Sequence, residues 1–120
     1  IVQGAIPAGF KGLDVGRDTS LAFAHELLTG TGSVFWNGPL GAYEVDEFAG
    51  GTVDIARAMA LAHWRGAHTV VGGGDTVAAV RKAEVLETEI SHVSTGGGAS
   101  LKFIGGEELP GITVLSEAPQ

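Results

Sequence analysis

Cysteine is absent from the 120 residues, methionine and tyrosine occur once each, and lysine and arginine together number only seven. Without a thiol there is no disulfide and no thiolate metal site, and a reducing cytoplasm is compatible with that composition. The few cationic side chains face 14 aspartates and glutamates, leaving a formal net charge of −7. A nucleic-acid surface needs a basic patch to meet phosphates, so that partner is not expected. No apolar run of membrane length and no signal-peptide pattern appears, so no membrane partner is expected either. The four histidines are scattered and make no His-x-x-x-His or other zinc spacing. His25 and His63 fall in helical patterns as structural residues, and His92 lies near a glycine loop.

Glycine is plentiful: 20 residues, clustered at turns with no collagen-like period. Two clusters stand out. Val70-Val71-Gly72-Gly73-Gly74-Asp75-Thr76 is echoed by Ser94-Thr95-Gly96-Gly97-Gly98-Ala99-Ser100. Each passes from a β-branched run through three glycines into a helix-compatible segment. A helix N-terminus offers unpaired N–H groups and the positive end of the macrodipole, which suits an anion. Glycine lets that backbone come close to a phosphate. Neither loop fits the Walker or the dinucleotide pattern. A glycine triplet alone also has a plain explanation, a tight turn with Asp75 as N-cap. The doubling suggests neighbouring βα units whose turns share the carboxyl edge of a parallel sheet, where open α/β folds bind ligands. A nucleotide phosphate is the ligand this pattern suggests. Asp75 is placed to hold Mg²⁺ together with phosphate oxygens, and Thr76 to donate to a phosphate.

The chain is one domain's worth, long enough to bury roughly two-thirds of its unfolded surface. It begins Ile1-Val2-Gln3, as a segment of a longer polypeptide would. Residues 1–16 read as loop. A helix starts at Asp18-Thr19-Ser20, with Leu21, Ala24 and Leu28 on one face, and ends at Gly30 and Gly32. Ser33 to Trp36 is a strand, followed by the turn Asn37-Gly38-Pro39-Leu40-Gly41. Asn37 and Glu44 either point into the crevice of the glycine loops or, more plainly, cap a turn and meet solvent. Thr52 is the expected N-cap of a helix over Val53–Trp64, with Val53, Ala56, Met59, Ala60 and His63 on one face, terminated by Gly66. Trp36 and Trp64 are expected in the core or at its rim. Ala67–Val71 is a strand, Asp75–Ala83 a helix, 84–90 a polar connection and Ser91–Ser94 a strand. Ala99–Ile104 is a short helix, Ile112–Leu115 a last strand, and Ala118-Pro119-Gln120 a tail.

Trp36-Asn37-Gly38-Pro39-Leu40-Gly41, Gly72-Gly73-Gly74-Asp75-Thr76 and Ser91-His92-Val93-Ser94-Thr95-Gly96-Gly97-Gly98-Ala99-Ser100 resemble, in order and spacing, the phosphoglycerate kinase family. Ile6-Pro7-Ala8-Gly9, Gly12-Leu13-Asp14 and Leu109-Pro110-Gly111 are similar too. Arg17 and Lys102 depart from the expected pattern without touching a motif contact. The resemblance spans the chain and covers only the C-terminal part of that family's nucleotide-binding domain. It implies a Rossmann-like, three-layer α/β fold with a mostly parallel sheet, here a partial domain. It also implies a cytoplasmic, monomeric glycolytic enzyme that interconverts 1,3-bisphosphoglycerate and ADP with 3-phosphoglycerate and ATP, using Mg²⁺. By that resemblance Gly12 and Leu13 line the adenine pocket, Asn37 and Pro39 flank the nucleotide, and Glu44 binds the ribose hydroxyls. Gly73, Gly74 and Thr76 contact phosphates, Asp75 positions magnesium, and Gly96, Gly97 and Gly98 turn amides toward the transferring group.

Two readings of other classes stand beside the kinase: a non-catalytic nucleotide-binding module, and a folding fragment with no ligand. The resemblance also implies that the family's basic substrate patch lies in an N-terminal domain, and its phosphate-binding lysines earlier in the nucleotide domain. These 120 residues hold neither. The isolated chain is therefore expected to show no turnover in a coupled ATP-formation assay; turnover that disappears in Asp75→Ala would contradict this.

Overall fold

Three short apolar runs become three parallel strands, β1 (Ser33–Asn37), β2 (His68–Gly72) and β3 (His92–Ser94), side by side in chain order. The structure is a computed structural model that describes residues 1–30 and 32–115. Parallel neighbours require crossovers long enough for a helix. These are α2 (Gly50–Trp64) between β1 and β2, and α3 (Gly74–Lys82) between β2 and β3. Before β1 runs α1 (Arg17–Thr29), which packs on α2; after β3 come α4 (Gly97–Ile104) and α5 (Pro110–Thr113).

Side chains alternate across the sheet. Val34, Trp36, Val71 and Val93 pack on the cluster built with Ile55, Met59, Val77 and Val80 from α2 and α3. Phe35, Val70 and His92 turn to the opposite face, where they line an apolar groove of about 440 Å³ with Phe103, Ile104 and Ile112. Helices thus lie on both faces of a wholly parallel sheet, the α/β layering expected of this sequence. Among the described residues β1 and β3 each pair on one side only.

Helix α2 is the centre of the core. Ile55, Ala56, Ala58, Met59, Ala60 and Ala62 are all buried, because α1 covers one flank while α3 and the sheet cover the others. A helix enclosed that way is apolar nearly all round. On α1, Leu21, Ala24 and Leu28 line the groove toward α2 as their spacing predicts, yet Leu21 stays 55% exposed. The buried seat goes to Ser20, whose Oγ donates to Asp54 Oδ2 at 2.7 Å. Trp36 packs against the core, whereas Trp64 is 71% exposed.

Three expectations are corrected. Thr52 is not the N-cap of α2: the helix begins at Gly50, and the buried Thr52 hydroxyl donates to the Leu40 carbonyl. The N-terminal amide of Gly51 is met by Asp14 Oδ2 at 2.9 Å, a partner 37 residues upstream. Ile112–Leu115 does not form a strand. Pro110 supplies a helical φ at the first position of α5, and Ile112 and Thr113 donate to the Leu109 carbonyl at 2.8 and 3.0 Å. Residues 84–90 are less polar than expected, since Val85 and Ile90 are buried on either side of a 3₁₀ turn at Glu87–Glu89. The tail at Ala118–Gln120 lies outside the described residues.

Met59 is fully buried, so Met59→Ala is expected to cost about 2–5 kcal/mol. Asp14→Ala, which removes the acceptor of the Gly51 and Val15 amides but opens no core cavity, should cost about 1 kcal/mol. Urea unfolding midpoints measure both, and the order of the two costs is the test.

Candidate functional site

Asn37, Gly72 and Ser94 occupy one row across the sheet, each the last residue of its strand. The three loops that follow therefore leave from the same level. Gly73 is the N-cap of α3 with φ +91°, and its N–H donates to the Ser94 carbonyl at 2.9 Å, extending the β2–β3 pairing by one bond. Gly97 opens α4 with φ +40°. The two loops touch backbone to backbone: a Cβ on Gly97 would stand 3.2 Å from the Gly73 Cα. Asn37 closes the third side, its Oδ1 2.8 Å from where a Cβ on Gly73 would be. Positive φ and this crowding together require glycine at both positions.

The helices that leave this junction are uncapped by side chains. In α3 the first closing bond is from Val77 N to Gly73 O at 3.0 Å, so the amides of Gly74, Asp75 and Thr76 precede it. In α4 the first is from Ala99 N to Gly96 O at 2.9 Å, preceded by Gly97 and Gly98. The Gly96 N–H already donates to Ser94 Oγ at 3.2 Å, and Ser94 Oγ lies 2.9 Å from Ser100 Oγ. A Cβ on Gly74 or on Gly98 would meet nothing within 4 Å. The fold imposes no steric need for glycine there, and both residues are exposed.

The other expected site residues join this rim through identifiable contacts. Thr76 is 1% exposed, and its Oγ1 accepts the Gly38 N–H at 2.7 Å, tying the Asn37–Pro39 turn to the first turn of α3. Asp75, beside it, is exposed. Leu13 is 43% exposed, and its carbonyl accepts the Ala42 N–H at 2.8 Å, which brings the Gly12–Leu13 segment against the loop leading to Glu44. Glu44 is exposed, and its carbonyl is held by Lys82 Nζ at 3.3 Å. The Tyr43 phenol, next in the chain to Glu44, is pushed up first by partial burial and then by the Asp75 and Glu44 carboxylates. The structure thus gathers Asn37, Gly73, Thr76 and Gly97 tightly, with Leu13 and Glu44 joined through backbone anchors.

Among the described residues no group of three or more His, Cys, Asp or Glu converges as a metal site. A lone exposed carboxylate in the first turn of a helix still suits Mg²⁺, which keeps several waters and shares its coordination with substrate phosphates.

Two residues escaped sequence reasoning. Asp14 accepts from Gly51 N at 2.9 Å and from Val15 N at 2.8 Å, and so fixes the Leu13 segment against α2. Lys82 holds the loop around Glu44. Each acts across 37 or more residues of chain, and no local pattern marks either.

Comparisons with known proteins bear on the family and the fold. The family model described as phosphoglycerate kinase matches residues 2–107. A phosphoglycerate kinase of Chlorobium limicola is 51% identical over 117 residues, 98% of this chain and 29% of that protein. One of Nocardia farcinica is 53% identical over 116 residues, 96% of this chain and 28% of that protein. The solved phosphoglycerate kinase of Coxiella burnetii superposes with a TM-score of 0.73 at 42% identity, over 87% of this chain and 26% of that one. The chain thus spans less than a third of these relatives' lengths. With the match running through both glycine loops and the Asn37 turn, this chain belongs to the phosphoglycerate kinase family.

Proposed function

We propose that residues 1–120 form the magnesium-nucleotide half of a phosphotransferase that interconverts 1,3-bisphosphoglycerate and ADP with 3-phosphoglycerate and ATP. The observation that carries this reading is the junction of two uncapped helix N-termini beneath Gly73 and Gly97, with open space above Gly74 and Gly98. An acidic chain can bind a polyphosphate there because the positive ends are backbone amides. In the forward direction a β-phosphate oxygen of ADP attacks the phosphorus of the acyl phosphate. The bond from phosphorus to the carboxyl oxygen breaks, and the carboxylate of 3-phosphoglycerate leaves. The amides of Gly74 and Asp75 hold the nucleotide phosphates, and the buried Thr76 supports them by tying the Asn37–Pro39 turn to α3. Those of Gly97 and Gly98 face the group in transit, where charge spreads over its equatorial oxygens. Magnesium, when bound by Asp75 and phosphate oxygens, neutralises part of that charge.

In this reading Gly12 and Leu13 line the adenine end, Asn37 and Pro39 flank the nucleotide, and Glu44 accepts from the ribose hydroxyls. The remainder of the enzyme brings the phosphoglycerate and the cationic side chains that this segment lacks. Lys82 is engaged by the Glu44 loop and Arg81 by Glu87 at 2.6 Å, so neither replaces them. The enzyme works as a monomer in the cytoplasm.

Two experiments in the complete polypeptide that carries these residues test the proposal. Calorimetric titration should show ADP binding strengthened by Mg²⁺, and the strengthening should vanish in Asp75→Ala. Gly98→Ala should give effects of opposite sign. A Cβ in open space within a helix stabilises by about 0.5–1 kcal/mol. The same methyl crowds the transferring group, so turnover should fall at least roughly tenfold. Unchanged turnover in Gly98→Ala would remove α4 from the catalytic site.

A further inference from the structure

Lys82 closes the C-terminal end of α3, and its ammonium is fully occupied. Nζ donates to the Tyr43 carbonyl at 2.7 Å and to the Glu44 carbonyl at 3.3 Å, and lies 2.7 Å from Asp46 Oδ1. Three donors meet three acceptors, all within residues 43–46. A cation at a helix C-terminus and an ion pair on the surface are both commonplace. Asp46, whose side chain is 95% exposed, would account for such a pair alone. Neither explains two backbone carbonyls turned onto one ammonium whose side chain is only 31% exposed. The hydrogen bond and charge of Lys82 also hold the Asp46 carboxyl below the usual carboxylate range, in keeping with a formed contact.

The same helix carries Asp75 and the phosphate-facing amides at its other end. Asp75 and Lys82 are seven residues apart, about 10 Å along a helix axis. A second tie, from Gly38 N to Thr76 Oγ1, fixes the loop before Glu44 to the first turn of α3. The segment 38–46 is therefore pinned at both ends of one rigid helix.

We propose that Lys82 is a positioning residue that holds Glu44 at a set distance from the phosphate loop, with α3 as the spacer, and so governs recognition of the ribose hydroxyls. This rests on the nucleotide reading above. It adds that ribose selectivity depends on a side chain that itself touches no nucleotide.

The test is titration of the complete polypeptide with Mg-ADP and with Mg-2′,3′-dideoxy-ADP, in the wild type, Lys82→Met, Lys82→Arg and Asp75→Ala. In Lys82→Met, ADP affinity should drop roughly tenfold, the loss typical of a charged hydrogen-bonding group displaced from its ligand. Dideoxy-ADP affinity should stay within about twofold, and Lys82→Arg should recover most of the preference for ADP. Equal weakening of both nucleotides, or no change in either, overturns the proposal. Loss of binding in Asp75→Ala with no effect of Lys82→Met sinks the role of Lys82 and leaves the nucleotide reading standing. Absence of ADP binding in the wild type, or its full retention in Asp75→Ala, sinks both. If circular dichroism shows Lys82→Met unfolded, Lys82→Gln takes its place in the comparison; unfolding of that variant too would assign Lys82 to the fold alone and overturn the proposal.

Discussion

Gly73 and Gly97 meet backbone to backbone at the carboxyl edge of the sheet, with the Asn37 amide against them. That contact is possible only where neither residue carries a side chain, and it sets how closely α3 and α4 start to each other. Strand register delivers it. Because Asn37, Gly72 and Ser94 end their strands in one row, the loops have no room to diverge before they touch. A one-residue slip of β3 would turn its side chains to the wrong faces and separate the loops. The same register that packs Val71 and Val93 on the core therefore also brings the starts of α3 and α4 together.

The proposed anion site lies on a chain of net charge −7, a physical tension that this architecture relieves in part. Backbone amides carry their partial positive charge whatever the side chains are, and two helix N-termini add their fields at one point. What amides do not supply is the full cationic charge that a transferring phosphoryl group draws on. In the proposed function that labour is divided, with positioning in this segment, which spans 28–29% of its relatives' length, and charge elsewhere.

The supports of the site run through the fold rather than along it. Asp14 reaches the amide of Gly51 and so seats the Leu13 segment on α2. Thr76 accepts from Gly38, and Lys82 anchors the carbonyls of Tyr43 and Glu44. Each is a polar group whose partner belongs to another element, and each satisfies a backbone group that would otherwise need water. The parts of the rim are thus coupled to the two helices that form the core.

Strands, crossover helices and the paired glycine turns were legible along the chain. Val70-Val71 and Val93 are β-branched runs, Gly66 and Gly105-Gly106 end helices, and the triplets mark bare turns, all properties carried by neighbouring residues. Where the sequence misled, a distant partner or a competing local preference decided the outcome. Thr52 has cap chemistry but bonds to Leu40, because Asp14 already occupies the start of α2. Ile112-Thr113-Val114 has strand propensity, but Pro110 starts a helix there. Sequence by itself determined the order of elements, the glycines at the junction and the family they belong to. Tertiary structure alone decided that Gly73 and Gly97 touch, that Asp14 and Lys82 support the rim, and that Gly74 and Gly98 lie under open space. Those are distances between residues remote in the chain, and they exist only once parallel pairing has brought the strand ends into register.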